Sequence, residues 1–594
     1  MRRILCLAFA VMLFSGCAQG PVKPSAVAPA PQSLGPLENI DQQILQNELG
    51  EAEKRLNAIR PASLTPAQKI RFYYLSAQLA LAMGRGDKAL EALNTVAPGD
   101  FALLPDIDPV APGLMRAQAL ALKGEYLASA RERIFLAGAL TEGAYDANHE
   151  AIWQTLLRAD TTQIEQMLRK EQTTVYYAWL QLALIMKQNQ LDMDKQLAAL
   201  GAWKTRFATH PAAVKLPGSL DKLEVYVREQ PKNIALFLPL TGKLASTGIA
   251  VRDGFLAAYY QSQKNGSQLP VIQIFDTNSA EFMPMYDSAV ANGAELIIGP
   301  IQKNLVEQLQ ARPQLPVPTL ALNYGQRDRS ENPAGLVQFG LAAEDEAAQV
   351  AAYARQQGYQ RAAVLVPDGN WGDRVHEQFA SSWQNLGGEV VARKSFTGKG
   401  DYNSAISGML NVDKSEARKN RLERQLNLKL EGLPRRRDDV DFIFVASLPE
   451  QARQIKPTLA YNYADNLPVL TTSHLYEGIP QPDSDRDLNA IIFCDMPWVF
   501  NNPELRQQVH SQWPQNKLKF DRLYALGVDA YRLYPRLNQL TLVQDSQLNG
   551  YTGLLTIDAY HQVVRHLGFA KFIDGTPRFI PGSLYVDTKT QPAQ

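Results

Sequence analysis

The sequence predicts a multidomain protein in which an all-α helical region is followed by a two-lobed α/β module. Between about residues 37 and 228, apolar residues recur at three- and four-residue spacing, which is the period of amphipathic helices. One such buried stripe consists of Ile70, Tyr74, Ala77 and Leu81. From residue 232 onward, apolar runs alternate with helical stretches, which is the order of elements in a parallel α/β fold. The change from helical spacing to alternating strands and helices near residue 232 separates the helical region from the α/β module.

Length and charge bound the functions that the chain can have. A chain of 594 residues is too long for a single hydrophobic core. Its 60 basic and 60 acidic residues cancel, so no overall field attracts a polyanion. Nucleic acid is therefore not an expected partner.

The N-terminus has the pattern of a secretion signal. Arg2 and Arg3 precede an apolar stretch from Ile4 to Phe14, and small residues lead to Cys17. The sequence Leu-Phe-Ser-Gly-Cys resembles the lipobox of bacterial lipoproteins, although Phe14 stands where a leucine is usual. The resemblance implies a signal peptide at 1–16, acylation of Cys17 and, because alanine follows the cysteine, an outer-membrane location facing the periplasm. The alternative is ordinary signal cleavage with an unmodified thiol.

Residues 17–35 form a predicted linker after that cysteine. Four prolines at 21, 24, 29 and 31 lie among small and polar residues, a composition that favours extended chain over a packed core. At about 3.1 Å per residue, the linker spans up to about 50 Å. Of the three cysteines, only Cys494 would remain in the folded part, which excludes an internal disulfide. Its apolar neighbours predict a buried side chain.

The helical region, predicted at 37–228, contains a weak internal repeat. Gly-Asp-Lys-Ala at 86–89 and Gly-Glu-Tyr at 124–126 each follow a run of alternating leucine and alanine, and a poorer copy extends from Gln190 to Pro211. This pattern resembles the tetratricopeptide repeat, which implies stacked helix pairs with a concave protein-binding surface. The irregular spacing leaves a plain helical bundle as the alternative.

The module opens with an apolar run from Ile234 to Leu240, typical of a strand buried on both faces. Pro-Leu-Thr-Gly then precedes a helix with glycines at 248 and 254, which predicts close packing of that helix on the sheet. This opening resembles the type I periplasmic binding proteins. Phe-Asp-Thr at 275–277, Glu-Leu-Ile-Ile-Gly-Pro at 295–300 and Arg-Ala-Ala-Val-Leu-Val-Pro-Asp at 361–368 agree with it in order.

The resemblance to type I periplasmic binding proteins covers residues 232–573 and leaves 574–594 as a tail. It implies a first lobe at about 232–343 that takes back later strands, a second lobe centred on about 344–468, and a hinge between them. A ligand of such a fold lies beyond the carboxyl ends of the strands. The candidate cleft residues there are Thr241, Gly242, Ser246, Thr247, Gly299, Lys303, Asn323, Tyr324, Asp368, Trp371, Ser447, Ser473 and His474.

Amino-acid receptors of this fold hold the ligand carboxylate with hydroxyls and backbone N–H groups. Here Gly299 is followed by Pro-Ile-Gln-Lys-Asn, with no hydroxyl, so an amino-acid clamp is not indicated. Lys303 and the Ser246-Thr247 pair are the candidate anion contacts. The equally open alternative is that the cleft residues satisfy contacts between the lobes and bind no ligand.

Motifs of catalytic and metal sites are missing from the sequence. It contains no Gly-x-Ser-x-Gly elbow, no phosphate-binding loop, no His-Glu-x-x-His and no paired cysteines. We therefore expect no enzymatic activity, no catalytic or metal-ligating residues and no cofactor.

A basic segment at 414–437 departs from the binding-protein pattern. Leu422, Leu426, Leu430 and Leu433 are spaced as one helical stripe. The candidate partner-docking residues beside it are Arg421, Arg424, Arg435, Arg436 and Arg437. Such a segment would combine apolar burial with charge-guided approach to a partner protein. The alternative is a solvated helical excursion.

The order of these parts resembles the lipoprotein activators of class A penicillin-binding proteins in Gram-negative bacteria. That resemblance implies an outer-membrane lipoprotein, close to the peptidoglycan, that binds a bifunctional peptidoglycan synthase and stimulates its transpeptidase activity without catalysis of its own. A solute-binding or wall-fragment-sensing lipoprotein receptor is the alternative function, and a wall-remodelling enzyme is a third.

Overall fold

The computed structural model describes residues 35–171, 174–190, 192–218, 220–325, 332–398, 400–513, 519–542, 546–580 and 583. The predicted signal peptide, Cys17 and nearly all of the predicted linker lie outside the described residues. The predicted fold class is confirmed, since an all-α region precedes a two-lobed α/β module. In the part of the chain that the structure describes, no helix combines the length and apolar character needed to cross a membrane.

The helical region consists of helices that pack on their sequence neighbours. Its helices are α1 (Ile40–Leu45), α2 (Leu49–Ala58), α3 (Pro66–Ala82), α4 (Gly86–Asn94), α5 (Ala111–Leu122), α6 (Tyr126–Leu136), α7 (Glu142–Arg158), α8 (Thr161–Lys170), α9 (Thr174–Gln188), α10 (Met193–Arg206), α11 (Pro211–Val214) and α12 (Leu223–Arg228). Helices α3 and α4 pack together, as do α5 and α6. Gly84 and Gly124 have positive φ in the two connecting turns, a conformation that glycine adopts without steric cost. Gly84, and not the predicted Gly86, is thus the counterpart of Gly124, because Gly86 is already the first residue of α4.

The first lobe contains a five-stranded parallel sheet in the order β2-β1-β3-β4-β5. Its strands are β1 (Asn233–Leu238), β2 (Val271–Asp276), β3 (Leu296–Ile298), β4 (Gln314–Ala321) and β5 (Ala334–Gln338), and its helices are α13 (Ala245–Lys264), α14 (Phe282–Ala291) and α15 (Lys303–Gln310). The prediction that the first strand is buried on both faces is confirmed. Leu236 packs in one core cluster and Phe237 in the other.

The second lobe contains a seven-stranded sheet in the order β15-β14-β10-β9-β8-β6-β7. Its strands are β6 (Arg361–Pro367), β7 (Glu389–Phe396), β8 (Phe442–Val445), β9 (Val469–Thr471), β10 (Ile492–Asp495), β14 (Gly568–Ile573) and β15 (Thr576–Phe579), the last two antiparallel to their neighbours. The apolar runs that predicted strands in both lobes coincide with β2, β3, β4, β6, β8, β9 and β10. Strand β15 extends this sheet beyond residue 573.

The remaining elements are helices, several of which pack on the sheet of the second lobe, and one small sheet. The helices are α16 (Ala343–Gln356), α17 (Asn370–Asn385), α18 (Tyr402–Met409), α19 (Val412–Leu426), α20 (Pro449–Tyr461), α21 (Pro482–Asp485), α22 (Pro497–Asn501), α23 (Glu504–Gln512), α24 (Asp521–Leu533) and α25 (Leu537–Leu542), and a small antiparallel sheet contains β11 (Leu548–Asn549), β12 (Leu554–Ile557) and β13 (Val563–His566). Cys494 is buried in β10, as predicted.

The prediction that the first lobe takes back later strands is wrong, and the prediction that both glycines of α13 pack on the sheet holds only for Gly248. Among the described residues the later chain adds only an isolated parallel bridge between Gln338 and Gln562, and it returns mainly as helix α24, which packs on α13. The small residues of α13 therefore allow close packing against α24 as well as against the sheet. A Cβ at Gly248 would meet the Pro239 carbonyl at the end of β1, but a Cβ at Gly254 would lie 2.1 Å from the Tyr524 carbonyl of α24. In the same way, a Cβ at Gly527 of α24 would lie 2.0 Å from the Val251 carbonyl of α13.

We expect Gly254→Ala to lower the free energy of unfolding by about 1 to 3 kcal/mol, because the new methyl group must push α13 and α24 apart. The measurement is urea denaturation followed by circular dichroism. Gly201→Ala on α10 is the matched control. It has no atom within 4 Å of the added Cβ, so helix propensity alone should stabilise it by about 0.5 to 1 kcal/mol. Equal effects of the two substitutions would contradict the close packing.

The helical region meets the module along α10 and the turn that follows α24. Ser267 donates its hydroxyl to Asp192 at 2.8 Å, and the Lys195 ammonium donates to the Asn265 carbonyl. On the other side, Arg536 donates to the carbonyl of Gln190 at 3.1 Å and to the side chain of Gln196 at 2.7 Å. These polar contacts join the two parts of the chain.

Candidate functional site

The polar residues of the predicted cleft follow β1, β3, β4, β6, β8 and β9. The structure brings some of them together at a buried carboxylate. Helix α16 begins with Glu344, Asp345 and Glu346 in its first turn, where negative charge is favourable. The Glu346 side chain is 4% exposed. It points at the segment after β9, which is where the cleft was predicted.

Ser473 uses both of its donors on that carboxylate. Its backbone N–H lies 2.9 Å from Oε2 of Glu346, and its hydroxyl donates to Oε1 at 3.1 Å. His474 contributes Nδ1 at 3.6 Å from Oε2, and the ring of Trp371 packs on His474 at 5.3 Å between centroids. A carboxylate of the chain itself thus occupies the donors that a ligand carboxylate would use.

Arg565 adds a positive charge to this cluster. The guanidinium of Arg565, on β13, is fully buried and lies 3.9 Å from Oε1 of Glu346. Within the described residues its nitrogens have no hydrogen-bond partner, so its charge is balanced through space by Glu346. Burial opposes the charge of Glu346, but His474, Arg565 and the Ser473 N–H outweigh that effect and lower the pKa of the carboxyl group to about 2.

Tyr324 connects the same region to the first lobe. The Tyr324 hydroxyl donates to Asp345 at 2.9 Å, and burial together with that carboxylate raises its pKa well above the usual range. Asn323 donates to the Ile301 carbonyl at 2.8 Å. The Tyr324 contact joins the end of β4 to the start of α16, whereas the Asn323 contact stays within the first lobe, at the segment after β3.

The other predicted cleft residues do not join this cluster. Thr241 donates its hydroxyl to Asp276 at 2.7 Å in an exposed loop with Gly242. Ser246 and Lys303 are exposed, Thr247 is half-buried in the first turn of α13, and Asp368 is exposed before α17. Gly299 is buried with φ of +99°, and a Cβ there would meet the Phe237 carbonyl. Ser447 lies in the core, 1% exposed. A shared ligand role for the whole set remains a prediction.

Sequence reasoning missed Glu346, Asp345 and Arg565. Three consecutive acidic residues at the start of a predicted helix were visible in the sequence and could have indicated a charged cluster. Arg565 gave no such signal, because it is a single arginine between valine and histidine in a short strand.

The basic segment forms helix α19, followed by an irregular segment that runs back along the helix. Helix α19 ends at Leu426, and Asn427 takes a left-handed conformation. The prediction of a single helical stripe through Leu430 and Leu433 is therefore wrong, because the chain turns back after the helix. Lys419 donates to the Gly432 carbonyl at 2.8 Å and Arg435 donates its N–H to Ser415 at 2.9 Å. The segment is a small hairpin with a defined shape.

The hairpin exposes both leucines and arginines. Leu422 is 46% exposed, Leu426 55% and Leu433 76%. Arg421, Arg424 and Arg435 are exposed as well. Arg436 donates to the Tyr463 carbonyl at 3.0 Å, and Arg437 forms a bidentate pair with Asp439 at 2.6 and 2.7 Å. The last two arginines hold the hairpin, and the first three remain available to a partner.

Comparison with known proteins gives relatives over most of the chain. The family model described as "LppC putative lipoprotein" matches residues 29–575. Proteins named penicillin-binding protein activator LpoA are similar to this chain. The one from Photobacterium profundum is 30% identical over 554 residues, covering 91% of this chain and 89% of that protein. The one from Vibrio cholerae serotype O1 is 29% identical over 537 residues, with coverages of 89% and 87%.

Two solved structures are also similar to this chain. Full-length LpoA from Haemophilus influenzae is 23% identical, with a TM-score of 0.49, and the match covers 92% of this chain and 96% of that one. The C-domain of LpoA from the same organism, described as a regulator of PBP1A, is 24% identical with a TM-score of 0.48, covering 59% of this chain and 99% of that domain.

Proposed function

Because this chain belongs to the LppC family of lipoproteins, we propose that it binds a class A penicillin-binding protein and stimulates the transpeptidase activity of that bifunctional peptidoglycan synthase. The observation that carries the proposal is the similarity, at 30% identity over 91% of the chain, to a protein named as a penicillin-binding protein activator. The activator acts by contact and has no catalytic role of its own.

The occupied cleft supports a regulator over a solute receptor. In a receptor, the donors after β9 must be free to receive the ligand. Here Ser473 spends its N–H and hydroxyl on Glu346, and displacing that carboxylate would leave it buried without compensation. The contact lies within the second lobe, between α16 and the segment after β9, and it keeps those donors occupied, which leaves the outer surface of the module for contact with a partner.

We place the anchor at Cys17, acylated and inserted in the outer membrane, with the protein facing the periplasm near the peptidoglycan. A proline-rich linker of 17–35, the helical region of 37–228 and the module of 232–573 would then follow in order away from the membrane. The linker supplies reach without a packed core, since such chain stays extended. A synthase anchored in the opposite membrane can be met only by a chain with that reach.

The test is a reconstituted assay with a purified class A synthase and its peptidoglycan precursor. We expect residues 18–594 to raise the rate of peptide cross-linking, and residues 18–228 to have no effect while keeping their helical circular dichroism. Full stimulation by residues 18–228 would refute the assignment of activity to the module. Saturable binding of a solute without any effect on a synthase would favour the receptor function instead.

Within the module, we assign synthase contact to the hairpin of α19. We expect the double substitution R421E/R424E to weaken binding of the synthase by about tenfold at low salt, because the change reverses two charges that guide approach and pairing. Arg424 donates only to the Asn420 carbonyl one turn earlier in the same helix, at 3.2 Å, whereas Arg436 and Arg437 hold the hairpin to neighbouring segments. The measurement is a binding titration at two salt concentrations.

The matched control is R169E/K170E, which makes the same charge change on exposed residues of α8 in the helical region. It should bind the synthase as the wild type does. Equal losses for the two double variants would show a general charge effect and contradict a specific role of the hairpin.

A further inference from the structure

The turn between α24 and α25 buries a cation where the helical region meets the module. Arg536 is 6% exposed. Its hydrogen bonds go to the Gln190 carbonyl and to the side-chain oxygens of Gln196 and Gln539, at 3.1, 2.7 and 3.2 Å. All three acceptors are neutral. None of the carboxylates in the described ranges lies within ion-pair distance of this guanidinium.

Three other arginines of the module that are buried or partly buried have a carboxylate partner. Arg506 lies 2.5 Å from Asp521, Arg522 lies 2.5 Å from Asp495, and Arg565 faces Glu346 at 3.9 Å. A buried charge without a counter-charge is costly, so such charges are normally paired. Burial alone lowers the pKa of Arg536 to about 10, which still leaves it charged at neutral pH. A bound anion would therefore compensate the buried charge of Arg536.

Arg536 lines a cavity with room for one. The cavity measures about 70 Å³, and its walls come from both parts of the chain, with Trp153 and Gln154 on α7 and Gln547 before β11. The side-chain oxygens of Gln154 and Gln547 are buried, and in the described structure neither accepts a hydrogen bond. The cavity thus offers one cation for an acid group and two acceptors for a hydroxyl or amino group.

We propose that this cavity, the junction cavity, binds a small carboxylate that carries a hydroxyl or amino group next to the acid. The carboxylate would pair with Arg536, and the neighbouring O–H or N–H would donate to the free amide oxygens. At about 14 Å³ for each water-sized group, the volume admits roughly five non-hydrogen atoms, which is the size of glycolate or glycine. Because both parts of the chain line the cavity, such a ligand would fasten the helical region to the module. The proposal does not depend on synthase activation.

The probes are glycolate and glycine, titrated into the mature full-length chain at constant ionic strength set with chloride. We expect a saturable rise in the melting temperature and a saturable heat of binding. Propionate has the same number of non-hydrogen atoms but lacks the second donor. We expect it to bind at least about tenfold more weakly, because the amide oxygens stay unsatisfied.

Two variants locate the effect. Q547E adds a carboxylate inside the cavity, so we expect a melting temperature no lower than that of the wild type together with loss of saturable glycolate binding. R536Q removes the cation and should also lose that binding. Q46E, on an exposed residue at the end of α1, is the matched control and should bind glycolate as the wild type does.

The proposal is overturned if the wild type gives no saturable response to either probe, and this titration decides alone should a variant fail to fold. It is equally overturned if Q547E and R536Q retain wild-type affinity, because the anion would then bind elsewhere. Equal affinity for glycolate and propionate would remove the role assigned to Gln154 and Gln547 and with it the proposed ligand class.

Discussion

Replacing Glu346 with alanine should lower the free energy of unfolding of the module by about 3 to 5 kcal/mol. The reason is that the substitution removes one side of a buried charge cluster. The Arg565 guanidinium would stay buried with no counter-charge, and both donors of Ser473 would lose their acceptor. The measurement is urea denaturation followed by tryptophan fluorescence, since Trp371 packs on His474 beside the cluster.

The matched control is Glu344→Ala, two positions earlier in the same first turn of α16. Glu344 pairs at 2.6 Å with Arg374, whose side chain is 51% exposed. Exposed ion pairs contribute less than about 1 kcal/mol, so this control should unfold close to the wild type. If E346A and E344A unfold alike, the buried charge cluster around Glu346 does not stabilise the module.

The Glu346 cluster also sets a pH dependence. The pKa of Glu346 is lowered from 4.5 to about 2, so the folded state favours the ionised form. The resulting stabilisation is complete above about pH 4.5 and is lost as the pH falls through about 2. The difference in stability between the wild type and E346A should therefore shrink across that window. A difference that stays constant from pH 6 to pH 2 would contradict this assignment.

Replacing Asp521 with asparagine should have a similarly large effect, about 3 to 5 kcal/mol on the free energy of unfolding. Asp521 begins α24 and accepts bonds from Arg506 at 2.5 Å, His510 at 2.8 Å and the Trp498 indole at 2.7 Å. Burial opposes its charge, but these donors outweigh it and lower the pKa of the carboxyl group. The neutral amide would leave Arg506 buried with no carboxylate partner.

The same measurement applied to Asp287→Asn provides the comparison. Asp287 forms a bidentate pair with Arg312 at 2.7 and 2.8 Å, but its side chain is 52% exposed. Water screens this pair, and its loss should change the free energy of unfolding by less than about 1 kcal/mol. A loss as large for D287N as for D521N would mean that burial does not decide the energetics of these pairs.

Local sequence patterns predicted much of the fold. The errors arose where one pattern was compatible with more than one packing partner or chain path. Gly248 and Gly254 correctly predicted that something packs closely on α13. The sequence could not say that Gly254 meets α24, because a missing side chain permits any close neighbour. In the same way the leucine spacing of 422–433 fitted one helix, and the turn at Asn427 overrode it.

The candidate site shows the same limit more sharply. Ser473 and His474 were found because residues after parallel strands gather at one sheet edge. Their partner, Glu346, lies 127 positions away from Ser473, and no periodicity connects the two. That long-range contact decides whether the donors of Ser473 are free to bind a ligand or are already bonded to Glu346.

The amino-acid sequence by itself determined the two kinds of architecture, the order of strands and helices, and the positions at the carboxyl ends of the strands, because these depend on residues near one another in the chain. The tertiary structure alone decided which charges are compensated. Glu346 fills the predicted cleft, while Arg536, 346 positions from Gln190, is left among neutral acceptors. The balance of a buried charge depends on every group packed around it, and only the folded chain brings those groups together.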